Sequence, residues 1–141
     1  MAQIDLNKYP HGFFADPDTG LPVQSPVLCM ESCRDGTRDM VLTETLAYVD
    51  PKGREHRAPP TCRTNGLSVP RIFWRLVQPY EPLSREASVV HDWLCYIGWD
   101  WDDAAWVFYH AMRANGVGPV RAWIRWAAVR FVGKWFQGRH R

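Results

Sequence analysis

Hydrophobic and polar positions follow two different rules along this chain, one before and one after the breakers Pro79 and Pro82. In the front half, Met40-Val41-Leu42-Thr43-Glu44-Thr45-Leu46-Ala47-Tyr48-Val49 partly alternates and is rich in β-formers, which predicts a strand. Asp50-Pro51-Lys52-Gly53 then turns the chain, and a second extended piece is expected from Glu55. Pro59-Pro60 confines that piece to a sheet edge, because proline cannot donate to a ladder. Upstream, residues 1–38 carry Pro10, Pro17, Pro22 and Pro26 with Gly12, Gly20 and Gly36. That density of breakers predicts an irregular arm with short extended pieces. Within it, Asp16-Pro17-Asp18-Thr19-Gly20 is a turn in which proline fixes one torsion and glycine accepts positive φ.

The back half reads as helices. Pro70 to Val77 is a candidate short helix, and Ser84-Arg85-Glu86-Ala87 starts a longer one that runs to about Ile97, with Ser84 as cap and Gly98 as terminator. A second helix spans about Asp102 to Ala114, its acids placed at the positive end of the dipole and Asn115-Gly116 closing it. The last begins near Pro119 and reaches about Phe136. On it Val120, Trp123, Ile124, Ala127, Phe131 and Trp135 recur at helical spacing as one apolar face. Trp126, Val129, Val132 and Phe136 share the other side with Arg121, Arg125 and Arg130, so the helix is apolar nearly all round. Such a helix is sandwiched in an assembly or lies at a lipid interface, and its charges argue against spanning a bilayer.

These elements define an α+β protein, in which an irregular Pro-rich arm (1–38) and a short antiparallel hairpin precede a three- to four-helix bundle. Residues 39–141 form a single domain ending in a basic amphipathic helix, and 141 residues suffice for one modest core. Charge is unevenly spread. All fifteen acids and ten of the seventeen bases lie in the first 103 residues, whereas Arg113, Arg121, Arg125, Arg130, Lys134, Arg139 and Arg141 follow without an acid. A basic tail on an acidic body points to phosphate, lipid headgroups or an acidic neighbour. Eight tryptophans could overfill so small a core, which turns some of them towards a partner, a membrane or a ligand. The residues expected to face a partner or lipid are Arg121, Trp123, Arg125, Trp126, Arg130 and Trp135.

The N-terminus has neither the basic start nor the apolar run of a signal peptide, and no stretch of about 18 uncharged apolar residues occurs. The expected location is a reducing cytoplasm, with the four cysteines as thiols. Cys29 and Cys33, with Cys62, would need a histidine to complete a zinc site and lack the paired spacing of zinc ribbons. Cys95 reads as a small buried residue.

The densest chemical signal is Thr64-Asn65-Gly66-Leu67-Ser68-Val69-Pro70-Arg71-Ile72-Phe73-Trp74, followed by His91-Asp92-Trp93-Leu94. Asn65-Gly66 is a turn whose glycine lets another group approach the backbone closely. Glycine turns present carbonyls to a hard cation or N–H groups to an anion. Adjacent on a helix, His91 and Asp92 point roughly 100° apart and can border one cleft. A histidine acting as base needs a carboxylate from elsewhere to hold its tautomer. Asp102 and Asp103 open the next helix, but His91 lies about 9–10 Å back from the connecting end.

These motifs, with Phe108-Tyr109-His110-Ala111-Met112-Arg113-Ala114-Asn115-Gly116-Val117, resemble a phage and prophage family, domain of unknown function 1353. Its usual form is T-D-G-x-S-[VI]-P, then H-D-[YW]-L, then A-D-x-x-F. The likeness covers about residues 40–132 and implies a phage origin without an activity. This chain has Asn65 for the usual aspartate and Ala105 for the acid of the third motif.

The plan of glycine loop, His-Asp helix and following acidic helix is also similar to that of secreted, bacterial and parvoviral phospholipases A2. That likeness implies His91 as general base and Asp92 as a Ca²⁺ ligand with the Asn65-Gly66 loop. The orienting acid is replaced by Ala105, which leaves Asp102 and Asp103 as the candidates. The usual cysteine-tyrosine pair is shifted to Cys95-Tyr96. The leading expectation is a virion-associated tail, neck or assembly protein whose partners are other phage structural proteins or itself. The alternative is a Ca²⁺-dependent, phospholipase A2-like lipid hydrolase anchored on a membrane lipid surface by the last helix. Nucleic-acid binding through the basic tail ranks third, because the tail has no reading motif.

Overall fold

The computed structural model describes residues 4–23, 30–32, 40–60, 63–64 and 85–133. It is an α+β fold. One antiparallel sheet has the order β1-β4-β5, from β1 (Phe13–Ala15), β4 (Leu46–Val49) and β5 (Glu55–Ala58). The other has the order β2-β3-β6, from β2 (Met30–Ser32), β3 (Met40–Leu42) and β6 (Arg63–Thr64). The helices are α1 (Arg85–Tyr96), α2 (Trp101–Ala114) and α3 (Pro119–Ala127), and α3 continues into a wider π-helical segment, Ala128–Gly133.

The expected hairpin is β4–β5, with Tyr48 opposite His56, and β5 lies at the edge of its sheet as Pro59-Pro60 requires. The single strand expected over 40–49 is instead two. Thr43 to Thr45 bend the chain, so β3 joins one sheet and β4 the other. Period-two alternation decides what each face of β4 covers. Leu46 and Tyr48, with Phe14 and Ala58, enter the main core beneath the helices. Ala47, with Phe13 and Ala15, faces the opposite way, where Ile4, Leu6, Tyr9 and Val49 pack over it. The Pro/Gly-rich segment thus supplies the extended pieces read from its sequence, and one of them, β1, is built into the sheet. The turn at Asp16 forms as expected, with Asp18 and Thr19 N–H donating to Asp16 Oδ1 and Gly20 at φ +74.

Helix α1 is the central element, with Ala87, Ser88, Val89, Val90, His91 and Leu94 all buried. It runs antiparallel to α2, since Asn115 Nδ2, at the far end of α2, donates to Glu86 Oε2 at the start of α1 (2.9 Å). Gly98, at φ +96, makes the reversal between them. Asp100 caps α2, its carboxylate accepting from Asp102 N–H at 3.1 Å. Gly116, also at φ +96, ends α2. The candidate helix at Pro70–Val77, the Ser84 cap and Cys29, Cys33 and Cys62 lie outside the described residues.

The last helix departs from a regular continuation to Phe136, because the turn widens at Ala128. There Trp101 Nε1–H donates to Val129 O at 3.1 Å, fastening the head of α2 to the widened turn. Among the described residues no helix is long and apolar enough to cross a membrane.

Candidate functional site

His91 sits in the middle of α1 with only 4% of its surface exposed. Its ring is enclosed from α2 by Trp101, edge-on at 5.2 Å between centroids, and by Phe108 at 5.5 Å. On its own helix, Cys95 Sγ lies 3.7 Å from Nε2 and Asp92 Oδ1 lies 3.8 Å from Nδ1. Burial alone would lower the imidazole pKa. The contacts to Asp92 and Cys95 outweigh it and hold the pKa up at about 9. The Cys95 contact follows from i,i+4 spacing, and Cys95 is half-buried rather than buried as its place in an apolar helix suggests.

Ala105 belongs to the same stretch of α2. Positions 101, 105 and 108 share one face of a 3.6-residue helix, and Trp101 and Phe108 both meet the His91 ring. Ala105 falls between them in sequence and is fully buried. The groups of α2 that meet the His91 ring are therefore two aromatic side chains. Asp102 is on the first turn of α2 and pairs with Arg130 across to the widened segment (3.3 Å), while Asp103 is exposed. The antiparallel packing keeps both acids at the connecting end, as the rise per residue requires.

Of the donors that a calcium site would use, Asp92 alone is among the described residues; Asn65 and Gly66 are outside them. Calcium takes six to eight oxygens. Among the described residues no cluster of three or more His, Cys, Asp or Glu side chains could hold a metal ion.

The residues expected to face a partner divide between two sides of α3. Val120, Trp123 and Phe131 point outward, 70%, 59% and 63% exposed, with Arg121 exposed beside them. Arg125 corrects the expectation. It is buried, because Ala122, Arg125 and Val129 form the inward stripe of the helix, and burial lowers its guanidinium pKa. Trp126 is half-buried, with the Arg130 guanidinium over its ring at 5.1 Å and over Phe131 at 5.3 Å. Trp135 lies outside the described residues.

Two polar clusters carried no sequence motif. At the β4–β5 turn, Asp50 is fully buried and accepts from Lys52 and Arg54 backbone N–H groups, from Arg54 Nε and from His56 Nε2. Arg54 in turn stacks on Trp99 and Trp106. Beside it, His11 meets His110 of α2. The Asp-Pro-Lys-Gly turn was legible; its pairing with His56 depended on the hairpin register.

A family model, Protein of unknown function (DUF1353), matches residues 40–129. The uncharacterized protein y4jT of Sinorhizobium fredii (strain NBRC 101917 / NGR234) is 33% identical over 97 residues, 67% of this chain and 29% of that protein. Protein y4iH of the same strain is 30% identical over 96 residues, 66% of this chain and 40% of that protein. The chain thus spans well under half the length of either relative. No solved structure matches.

Proposed function

The chain belongs to the DUF1353 family, and from that footing we propose that it is a phage or prophage structural or accessory subunit that docks into an assembly through the outward face of α3. The carrying observation is that Val120, Trp123 and Phe131 align on that face and are more than half exposed. Single exposed apolar residues are ordinary, but an aligned set with two aromatics is the composition of an interface. The docking partner is a protein subunit with an apolar groove and an acidic rim, because no acid follows Asp103 in the chain. The phage setting rests on the motif resemblance. In this reading His91 serves the packing between α1 and α2.

Sedimentation of the purified protein, alone and with candidate virion subunits, tests the proposal. Association is expected, and Trp123→Glu should weaken it by about a hundredfold, the effect of losing a central aromatic anchor. A wild type that stays monomeric and binds no protein subunit would overturn the reading; binding to anionic vesicles instead would make the face a lipid anchor.

A second reading, a lipid hydrolase of the phospholipase A2 plan, is favoured by one observation: the buried His91 has the Asp92 carboxylate 3.8 Å from its Nδ1, although Ala105 holds the sequence position where that plan has its orienting acid. With alanine at that position the acid of the plan is missing, so an inactive relative is the form that suits this chain. Fatty-acid release from phospholipid vesicles, with Ca²⁺ or with chelator, should be absent. Calcium-dependent release that vanishes in His91→Ala would establish the enzyme.

A further inference from the structure

His11, just before β1, and His110, on α2, place their Nδ1 atoms 2.9 Å apart. Their ring centroids are 5.1 Å apart, close to that N···N distance plus the two ring radii, so the nitrogens meet head-on. Head-on approach is the geometry of an N–H···N hydrogen bond. Lone pairs converging on a shared metal would bring the rings closer together at the same N···N distance.

One nitrogen must donate and the other accept, so the contact exists while at least one ring keeps a bare Nδ1. A first proton leaves an imidazolium donating to a neutral ring. A second proton leaves two donors and two positive charges face to face.

The surroundings make this contact a fastening. The His11 carbonyl accepts from Tyr48 OH at 2.6 Å. The next residue, Gly12, is at φ +75 and packs so closely that a Cβ would stand 2.1 Å from Val49 O. From this anchored point the chain runs back through Tyr9, Leu6 and Ile4 over Phe13, Ala15 and Ala47, on the face of the sheet away from the helices. We propose that the His11–His110 pair is an acid-sensitive clasp that holds this N-terminal segment on the sheet and releases it when both rings are protonated.

The groups around the pair set the range. From α2, Arg113 disfavours a second charge on His11, and Tyr109 and Trp106 pack on the rings, Trp106 at 4.5 Å from His110. From the β4–β5 turn, Lys52 lies over the Trp106 ring, 4.9 Å from its centroid, and Asp50 favours the charged form of His110. Burial, then the neighbouring His11, takes the His110 pKa down to about 4, and burial and Arg113 lower that of His11. Both folded values lie below the ordinary 6.5, so the clasp contributes fully above that pH and is lost as pH falls towards about 4. Release would uncover the apolar cluster of Phe13, Ala15 and Ala47.

Hydrogen exchange of the full chain from about pH 7 to about pH 4, corrected for intrinsic rates, tests this beside His110→Gln. In wild type, amides of residues 4–15 should lose about tenfold or more of their protection in acid while those of α1 and α2 keep theirs. His110→Gln, which cannot gain the second charge, should keep the segment protected at the acid end. Equal loss in both proteins, or loss only together with α1 and α2, would overturn the proposal. Should His110→Gln fail to fold, His11→Gln reads the same difference. Titration of the two rings by NMR gives a second check, since independent titration of both near the ordinary histidine value would also overturn it.

Discussion

Asp50 Oδ2 lies 2.8 Å from His56 Nε2, with both side chains buried at the turn of the β4–β5 hairpin. A carboxylate only accepts, so His56 carries its proton on Nε2 in this pair. The same carboxylate takes the N–H groups of Lys52 and Arg54 and the Arg54 guanidinium, so one buried charge organises the whole turn.

Replacing Asp50 with alanine strands those donors and should cost about 3 kcal/mol or more, as breaking a buried pair does. Denaturant unfolding measures it. The pH dependence has a defined sign. Burial would raise the Asp50 pKa, but the bonds from His56 and Arg54 outweigh it and hold it below its ordinary 3.8. The turn's contribution is therefore present above that value and lost as pH falls below it, a loss that Asp50→Asn should remove.

His91 has the opposite sign. Its folded pKa of about 9 exceeds the ordinary 6.5, so its contribution is complete below about 6.5 and is lost as pH rises through 9. Melting temperatures measured across that range should fall more steeply in wild type than in His91→Gln. Parallel curves would mean that the buried ring stays neutral.

Ala105→Asp puts a carboxylate on the buried stretch of α2 between Trp101 and Phe108, the two residues that meet the His91 ring. The site is fully packed, so the substitution should cost about 1–3 kcal/mol from overpacking, partly offset by the new ion pair. The His91 pKa should rise further, which ring titration by NMR would read. Calcium-dependent lipid hydrolysis appearing in this variant would identify the chain as a phospholipase relative lacking one group.

The two sides of α3 should respond differently to substitution. Ala122 is fully buried, and Ala122→Leu should cost about 1–3 kcal/mol. Val120→Glu, on the outward side, should leave stability within about 0.5 kcal/mol while weakening association. Comparable stability losses from both would show the outward face packed in solution.

The sequence by itself determined the local elements. The Asp50-Pro51-Lys52-Gly53 reversal, the edge position of β5, the Gly98 and Gly116 terminators and the Pro119 start each follow from torsions and donors that single residues permit. It also determined the α+β class and the family likeness around His91-Asp92. The tertiary structure decided what lies opposite what. Periodicity groups Val120, Trp123 and Phe131 on one face of a helix but does not say whether that face is covered. The packing of Ala122, Arg125 and Val129 against the body turns it outward. Likewise, nothing local joins His11 to His110, 99 residues apart, or His56 to Asp50 across a hairpin register. Nor does anything local place Trp101 and Phe108 of α2 around the His91 ring. Those contacts depend on how sheet and helices close around one core, and closure is a property of the whole chain.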